Sequence, residues 1–540
     1  MKHLAVNYTL KCLILLGCFI LNSCGSTAPI LSTPIENIDQ TPVKFSAITE
    51  DEEKNWSHFD LKKDTIPGVS LNLAYEKIVK PKSKTVVVAV IDSGIDITHE
   101  DLREHIWINE DEVPNNGIDD DKNGYIDDVN GWNFLGEANN EQLEYVRLLA
   151  SKNNAHPRYS EAEDLHRKER VKYIGLKQQY GSILEQVNAS EKAVLDYLKK
   201  DAFSKKDVYG ITTKDPVLKQ HLSIIKQSYG FGYESIADLK KDLERDLKSF
   251  NERLDYHLNI YFDGRSIVND NPNDLNDKDY GDNNVMPKEG RSHGTHVTGI
   301  IAAKRNNGIG INGAADNVKI MAIRNTPNGD EYDKDVALAI YYAVDNGAKV
   351  INMSFGKGFS DHSDWVRDAI AYAGKNDVLI VAAAGNDGSN TDEVENYPDD
   401  QIGTGVEVSD TFLKVGATTY NYDSGLVAGF SNYGKSSVDV FAPGEQIFSS
   451  YPKNKYEFAQ GTSMAAPLVA GIAALVFSQF PNLKAAQVKK IIMESGLPIN
   501  KKVSLEDGSV VEFNTLSKSG KLVNAYNALI MASQLSKQRY

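Results

Sequence analysis

Apolar residues fall into a few short, nearly continuous runs that are rich in β-branched side chains. The runs are residues 84–91, 318–323, 349–353 and 378–384. Such runs, bounded by polar residues, are typical of strands buried on both faces of a parallel sheet. Stretches with helical spacing, such as 336–346 and 363–374, lie between them. The pattern therefore predicts βαβ units in a doubly wound sheet.

Polar residues follow two of these predicted strands at their carboxyl ends. Asp92 comes directly after the first run, and Asn386 comes just after the last. In open α/β sheets, functional groups gather at this edge. The pattern alone therefore makes both residues candidates for a functional site.

The strand-like runs stop between residues 141 and 259, where the sequence becomes charged with helical spacing. Apolar residues at steps of three and four from Ile236 to Leu258 predict an amphipathic helix, with Ser235 as its cap. Asp215-Pro216 marks another helix start. We favour a helical module, residues 141–259, that packs against itself and the main domain. A partner-binding coiled coil is the alternative, although the clear heptads are few.

The first residues have the order of an export signal. A charged stretch precedes apolar residues 12–21, and Asn22-Ser23-Cys24 follows. This order predicts a signal peptide over residues 1–23, too short to span a membrane. Its ending resembles a bacterial lipobox, which implies a lipid anchor on Cys24 at the cell envelope, on the periplasmic face or cell surface. An ordinary secretory signal is the alternative.

The residues after Cys24 are rich in Ser, Thr and Pro, which predicts a flexible tether over residues 24–55 and a folded domain over 56–535. All three cysteines, Cys12, Cys18 and Cys24, lie ahead of that domain, so cysteine chemistry is excluded from it. The net charge of −16 argues against a nucleic-acid surface. We expect a monomer that contacts the membrane only through its anchor.

Four motifs supply the groups that peptide hydrolysis requires: a nucleophile, a base, a group that orients the base and a donor for the developing oxyanion. They are Asp92-Ser93-Gly94, Ser292-His293-Gly294-Thr295-His296, Ala384-Gly385-Asn386-Asp387-Gly388 and Gly461-Thr462-Ser463-Met464-Ala465. One such motif alone has little weight. Together they indicate one catalytic site.

The motifs DSGID, HGTHVTG, AAAGNDG and GTSMAAP resemble the four signature blocks of the subtilisin-like serine peptidases, in that family's order. The order excludes the chymotrypsin and α/β-hydrolase arrangements of the same groups. The resemblance implies a three-layer α/β fold with a mostly parallel central sheet, interrupted here by the helical insertion. It also implies a serine endopeptidase that acts on proteins or peptides through an acyl-enzyme.

The resemblance assigns roles residue by residue. Ser463 would be the nucleophile and His293 its general base and acid. Asp92 would orient His293, Asn386 would donate to the oxyanion, and His296 would be a packed structural histidine. The substrate-binding residues would be Ser354, Phe355, Gly356, Ala383 and Gly385, with backbone that pairs with an extended peptide.

Phe355 would narrow the pocket for the residue before the scissile bond. One departure from the family is the 201-residue separation of Asp92 and His293, which relatives place much closer together. The HGTH block disfavours a sedolisin-type enzyme, which uses Glu in place of His. The alternative outside enzymes is a catalytically inactive binding protein on the same fold.

Residues 119–130, DDDKNGYIDDVN, approach the spacing of a calcium-binding loop. The ligands would be the side chains of Asp119, Asp121, Asn123 and Asp127 and the backbone carbonyl of Tyr125. The last position is Asn130, not the bidentate Glu of an EF-hand. Because carboxylates this close repel one another without a cation, we expect a structural Ca²⁺ rather than a solvated acidic turn.

Overall fold

The computed structural model describes residue 44 and residues 46–81, 83–288, 290–403 and 405–537. The predicted signal peptide, Cys24 and most of the predicted tether lie outside the described residues. The described chain forms a nine-stranded sheet with helices on both faces. The predicted three-layer α/β fold is therefore confirmed.

The strands, numbered along the chain, are β1 Val86–Asp92, β2 Gly131–Asn133, β3 Val318–Arg324, β4 Val350–Met353, β5 Leu379–Ala383, β6 Gln401–Ile402, β7 Val406–Glu407, β8 Phe412–Thr418, β9 Val440–Pro443, β10 Ile447–Tyr451, β11 Lys455–Ala459, β12 Leu497–Pro498, β13 Lys502–Ser504, β14 Val510–Glu512 and β15 Lys521–Leu522. The central sheet has the order β12, β15, β9, β8, β5, β4, β1, β3, β2. Only the edge pair β12 and β15 is antiparallel in it. The four apolar runs became β1, β3, β4 and β5.

The helices are α1 Glu50–Asn55, α2 Leu71–Lys77, α3 Glu144–Ser151, α4 Tyr159–Leu198, α5 Lys205–Gly210, α6 Pro216–Gly230, α7 Ile236–Glu252, α8 His293–Ala302, α9 Asp333–Asp345, α10 Ser363–Lys375, α11 Thr462–Gln479, α12 Ala485–Ser495 and α13 Ala525–Lys537. A π-helical turn, Arg253–His257, extends α7. Short 3-10 turns lie at Trp56–His58, Arg103–His105, Arg265–Ile267 and Phe513–Thr515.

Alternate residues of β1 belong to two separate cores, because successive side chains of a strand point to opposite faces of the sheet. Val88 and Val90 pack with α8 and α11 on one face. Ala89 and Ile91 pack with α9 and α10 on the other. This two-sided burial explains why the strand is apolar at nearly every position.

Helix α11 lies in the first of these cores. Among the described residues it is the one helix long and apolar enough to cross a membrane, and 89% of its apolar window is buried inside the protein. Its length and composition are therefore those of a central core helix.

The segment before β1 is part of the folded domain. Helix α1 begins at a capping box formed by Thr49 and Glu52, so the last residues of the predicted tether are helical. Trp56 is 1% exposed, and its indole N–H donates to the carbonyl of Gln446 at 3.1 Å.

Helices α3 to α7 and the π-helical turn lie in the range predicted as the insertion. Helix α4 runs for 40 residues. Ile236, Leu239 and Leu243 of the leucine stripe join residues of α4 and α6 in a core of their own. Ser235 caps α7, and Asp215 caps α6. The first part of the stripe is therefore covered within the insertion, whereas Leu254 and Leu258 join a core that includes Phe359 of the main domain.

A second small core joins the insertion to the main domain. Leu143, Tyr145, Val146 and Leu148 pack there with Phe359, which follows β4 in the chain. The rings of Tyr145 and Phe359 are 5.7 Å apart between centroids. The insertion is therefore attached to the main domain through apolar contacts as well as through its two chain ends.

Candidate active site

Parallel strands and helix N-termini bring three of the predicted residues to one edge of the sheet. Asp92 is the last residue of β1, His293 is the first residue of α8, and Ser463 is the second residue of α11. Asn386 lies just beyond the end of β5. The strand-end argument made from the sequence concerned Asp92 and Asn386, and these two residues lie at or just beyond the carboxyl ends of their strands.

Asp92 and His293 form a hydrogen-bonded pair. His293 Nδ1 lies 2.8 Å from Oδ1 and 3.0 Å from Oδ2 of Asp92. The carboxylate is 1% exposed, whereas the imidazole is 39% exposed. Oδ1 also accepts the backbone N–H of Ser93 at 2.7 Å. The buried carboxylate thus holds Nδ1 of the ring. The other nitrogen, Nε2, remains available to accept a proton.

A glycine next to His293 makes this contact possible. A Cβ atom on Gly294 would lie 2.4 Å from the carbonyl oxygen of Gly94 and 3.1 Å from Oδ1 of Asp92. Real Cβ atoms do not approach backbone this closely. Gly294 therefore allows α8 to start directly against the end of β1.

The two histidines of α8 have opposite electrostatic environments. Burial lowers the pKa of His293, but the charge and the hydrogen bond of Asp92 outweigh burial and leave that pKa above its ordinary value. Burial lowers the pKa of His296 to about 4, and its Nε2 lies 3.1 Å from the carbonyl oxygen of Glu457. The charged form of His293 is therefore stabilised, whereas His296 is packed and neutral.

Ser463 is 9% exposed and lies in the first turn of α11. Its hydroxyl donates to the backbone carbonyl of Ser354 at 3.0 Å. The Ser354 hydroxyl in turn donates to the Ser463 carbonyl at 2.9 Å. Within the described residues no hydrogen bond joins the Ser463 hydroxyl to His293. Such bonds are often loose before substrate binds.

Asn386 is oriented by a residue that the sequence analysis did not single out. Its Oδ1 accepts the backbone N–H of Thr462 at 2.8 Å and the Thr462 hydroxyl at 3.1 Å. Because the amide oxygen is held in this way, the amide nitrogen is the end that remains for an incoming group. Thr462 stands inside the GTSMAAP block, but only the fold shows what it contacts.

Asn432 was also missed, since it lies in no recognised motif. Its Nδ2 donates to the carbonyl of Ala384, and its Oδ1 accepts the backbone N–H groups of Asp387 and Ser389. These bonds fix the loop that carries Asn386. Gly385 has a φ of +101°, and a Cβ there would lie 2.3 Å from Nδ2 of Asn432. Glycine is therefore required at this position.

A cavity of about 960 Å³ opens beside these groups. Four of the five predicted substrate-binding residues line it, namely Phe355, Gly356, Ala383 and Gly385, together with Asn386 and Ser463. The fifth, Ser354, lies behind the wall and supports Ser463 through the two hydrogen bonds described above. The cavity is large enough to hold several side chains of a bound peptide.

The predicted calcium loop contains a cluster of carboxylates. Glu112, Asp119 and Asp121 each offer an oxygen, and the three oxygens lie within 4.8 Å of one another. Glu112 was not predicted, because it precedes the motif by several residues. The Asn123 amide reaches Asp121, and Tyr125 packs its ring on Trp132 and Tyr342. The three-carboxylate donor set fits a hard cation that prefers oxygen ligands.

Asp127 does not belong to this cluster. Its Oδ1 accepts the backbone N–H of Asn116 at 3.0 Å, and its Oδ2 accepts that of Gly117 at 2.9 Å. Both oxygens therefore hold a neighbouring turn. Asp127 therefore stays a predicted ligand that lies outside the three-carboxylate cluster.

An Asp–His pair, together with a serine that stands at a helix N-terminus and lines a peptide-sized cleft, defines the class of α/β serine peptidases. The model of the subtilase family matches residues 83–518. The thermophilic serine proteinase of Bacillus sp. strain AK1 is 39% identical over 253 residues, which are 46% of this chain and 55% of that protein. Thermitase of Thermoactinomyces vulgaris is 40% identical over 212 residues, which are 38% of this chain and 70% of thermitase.

Subtilisin DY of Bacillus licheniformis is 39% identical over 204 residues, which are 37% of this chain and 69% of that protein. The chain thus spans between about half and about two thirds of the length of these relatives. The family match covers well over half of the chain. The chain belongs to the subtilase family.

The Asp92–His293 contact predicts the protonation of His293. In the unmodified protein, the His293 ring should titrate above its ordinary pKa of about 6.5. In Asp92→Asn the stabilising charge is lost and burial dominates, so the pKa should fall below that value. NMR titration of the imidazole Cε1–H signal measures both, with His296, neutral down to about pH 4, as an internal control. An unchanged His293 pKa in Asp92→Asn would contradict the assignment.

Proposed function

We propose that this chain is a serine endopeptidase that hydrolyses peptide bonds through an acyl-enzyme intermediate on Ser463. The proposal is carried by the buried Asp92 carboxylate, which is bonded to His293 Nδ1, and by Ser463 and Asn386, which line a cleft of about 960 Å³. Membership of the subtilase family supports the same conclusion.

Neutral His293 accepts the Ser463 hydroxyl proton through Nε2 while the oxygen bonds to the substrate carbonyl carbon. The imidazolium that forms is stabilised by Asp92. The Asn386 amide nitrogen donates to the oxyanion. When the carbon–nitrogen bond breaks, His293 gives its proton to the leaving amine. Water then repeats the sequence, releases the acid product and restores the serine.

The catalytic proposal is tested by covalent labelling. A fluorophosphonate probe, which reacts with activated serines, should label the protein at Ser463, and Ser463→Ala should abolish both labelling and cleavage of a casein substrate. Ser478→Ala is a matched control, because Ser478 lies in the same helix and its hydroxyl donates to the carbonyl of Lys84, away from the cleft. It should keep both. Folded protein that is never labelled would instead support an inactive binding protein.

We propose that Glu112, Asp119 and Asp121 hold a structural Ca²⁺. Three carboxylates this close repel one another, and a bound cation relieves that repulsion. The ion would stabilise the loop between β1 and β2, which lies outside the catalytic cleft. Its binding adds to the stability of the folded state by mass action.

Chelation should therefore lower the melting temperature of the protein, by about 1 °C for each ~1 kcal/mol of lost binding free energy. Asp121→Asn should melt lower and lose most of its response to EGTA. Asp127→Asn is the matched control: its side chain holds backbone N–H groups of a turn, so the response to EGTA should persist. Calorimetry with and without EGTA measures both. An EGTA shift that survives in Asp121→Asn would refute this ligand set.

We also propose that residues 1–23 direct export and that Cys24 carries a lipid anchor to the bacterial envelope. The proposal rests on the charged, apolar and LNSC order of the first residues. An anchored peptidase would act on proteins at the membrane surface.

The anchor is tested by metabolic labelling of the producing cells with an alkyne fatty acid. The protein should incorporate the label and sediment with membranes, and Cys24→Ser should lose both properties. Cys18→Ser, which changes a cysteine within the predicted signal, should keep both. Membrane association of unlabelled Cys24→Ser protein would rule out this anchor.

A further inference from the structure

The helical insertion has a base that is fixed beside the catalytic cavity. Leu143 and Tyr145 of the insertion are among the residues that line this cavity. Glu144 pairs with Arg147 and, at 2.8 Å, with Lys357 of the main domain. These three charged side chains are at most 10% exposed, and breaking a buried ion pair is costly. The base is therefore a firm attachment to the main domain.

Helix α4 carries the chain from this base to the opposite end of the insertion. It has 40 residues, which corresponds to a length of about 60 Å. Its first turns lie at the cleft, since Glu161 and Leu165 line the cavity. Its last residue, Leu198, packs against the insertion's own core. Most of the length of α4 thus separates its far end from the cleft.

Helix α7 returns along α4, so the chain between these two helices lies at that far end. Lys240, near the start of α7, pairs with Glu191 at 2.8 Å. Phe250, near the end of α7, contacts Tyr180, with 5.1 Å between the ring centroids. The two helices are therefore antiparallel. We call residues 197–235 the tip of the insertion: they are the end of α4, helices α5 and α6, and the turn that leads into α7.

The tip is packed and capped. Asp207 completes the capping box of α5 and accepts from Lys200 at 2.7 Å, which joins α5 to the end of α4. Val208 is fully buried in the insertion's own core. The ammonium group of Lys226, on α6, lies 5.3 Å from the ring centroid of Tyr209, on α5. The outer side chains of the tip are therefore presented on a folded surface.

The tip is positively charged in a chain that is strongly acidic. It contains seven lysines and four carboxylates, a net charge of +3, whereas the whole chain has a net charge of −16. Asp207 and Asp215 are held at helix caps. Within the described residues, Lys200 is the one lysine of the tip in an ion pair. The other lysines, which leave the tip with an excess of unpaired positive charge, are Lys199, Lys205, Lys206, Lys214, Lys219 and Lys226.

Large apolar side chains are exposed among these lysines. Phe231 is 73% exposed, Val217 60%, Tyr209 55% and Tyr197 49%. Lysine and tyrosine side chains suit the boundary between water and lipid, because each has an apolar body and a polar end. Exposed aromatic groups beside clustered lysines are typical of protein surfaces that bind at a membrane interface.

A lipid surface complements both features of the tip at once. Anionic headgroups attract the lysines, and each lysine close to such a surface strengthens binding by about fivefold. The interfacial layer takes up exposed apolar area. Salt screens charges beyond about 8 Å at physiological ionic strength. The acidic main domain, at the other end of α4, is therefore too distant to cancel the attraction of the tip.

We propose that the tip of the insertion binds the surface of an anionic phospholipid membrane. Its lysines contact the headgroups, and Phe231 and Tyr209 enter the interfacial layer. Because the base of the insertion is fixed at the catalytic cavity, this contact holds the cleft away from the lipid by up to about 60 Å. The proposal goes beyond the proposed peptidase function and depends neither on catalysis nor on the lipid anchor.

The test measures cosedimentation of the full chain with phospholipid vesicles. Every protein carries Cys24→Ser, so that a lipid anchor does not contribute. Vesicles of phosphatidylcholine with about one third phosphatidylglycerol should bind the protein, vesicles of phosphatidylcholine alone should not, and added salt should weaken binding. Phe231→Ser should lower the partition coefficient about tenfold. Charge reversal of three exposed lysines of the tip should lower it on the order of 100-fold; the changes are Lys206→Glu, Lys214→Glu and Lys219→Glu.

A matched control reverses three exposed basic residues of α4 that lie between the base and the tip, namely Lys168→Glu, Arg170→Glu and Lys177→Glu. It makes the same change in net charge and should bind as the Cys24→Ser protein does. Circular dichroism shows that each variant is folded. Folded protein that does not bind anionic vesicles overturns the inference, and so does binding that the tip changes leave intact.

Two further outcomes also contradict the proposal. Equal loss of binding in the tip variant and in the control variant would reflect net charge alone. Binding of polyglutamate through the tip lysines, without any binding to vesicles, would assign the tip to an acidic protein partner instead.

Discussion

The hydrogen bond between the buried Asp92 carboxylate and His293 is the constraint on which the rest of the site depends. A carboxylate that is 1% exposed needs strong partners, because burial of an unpaired charge is costly. The imidazole reaches it only because Gly294 lets α8 start against the end of β1. The chain between Asp92 and His293 must therefore fold so that these two side chains meet.

The long stretch of chain between Asp92 and His293 is accounted for mainly by the insertion. The intervening chain forms a calcium-type loop and a helical module, and the module leaves and rejoins the main domain beside Asn328. Because Asn328 lies next to the cavity-lining Gly329, the module is held at the cleft. Chain connectivity thus places it beside the cleft, and the buried Glu144, Arg147 and Lys357 network keeps it there.

Support for the reacting groups comes from residues just behind them. Thr462 holds the amide oxygen of Asn386, Asn432 holds the loop on which Asn386 lies, and Ser354 exchanges hydrogen bonds with Ser463. These are neutral contacts made mostly to backbone. They fix geometry without adding charge near His293, so its protonation is set chiefly by burial and by Asp92.

The sequence by itself predicted the sheet and the family correctly, because buried strands impose an apolar pattern and catalysis imposes specific residue types. It also proposed the four motif residues that the fold brings to one edge of the sheet. It also indicated the leucine stripe of the insertion. It could not identify Glu112 or Asn432, since their contacts join residues that no local pattern links. Only the tertiary structure decided that the insertion borders the cleft, because packing between Tyr145 and Phe359, more than two hundred residues apart, has no signature in either segment alone.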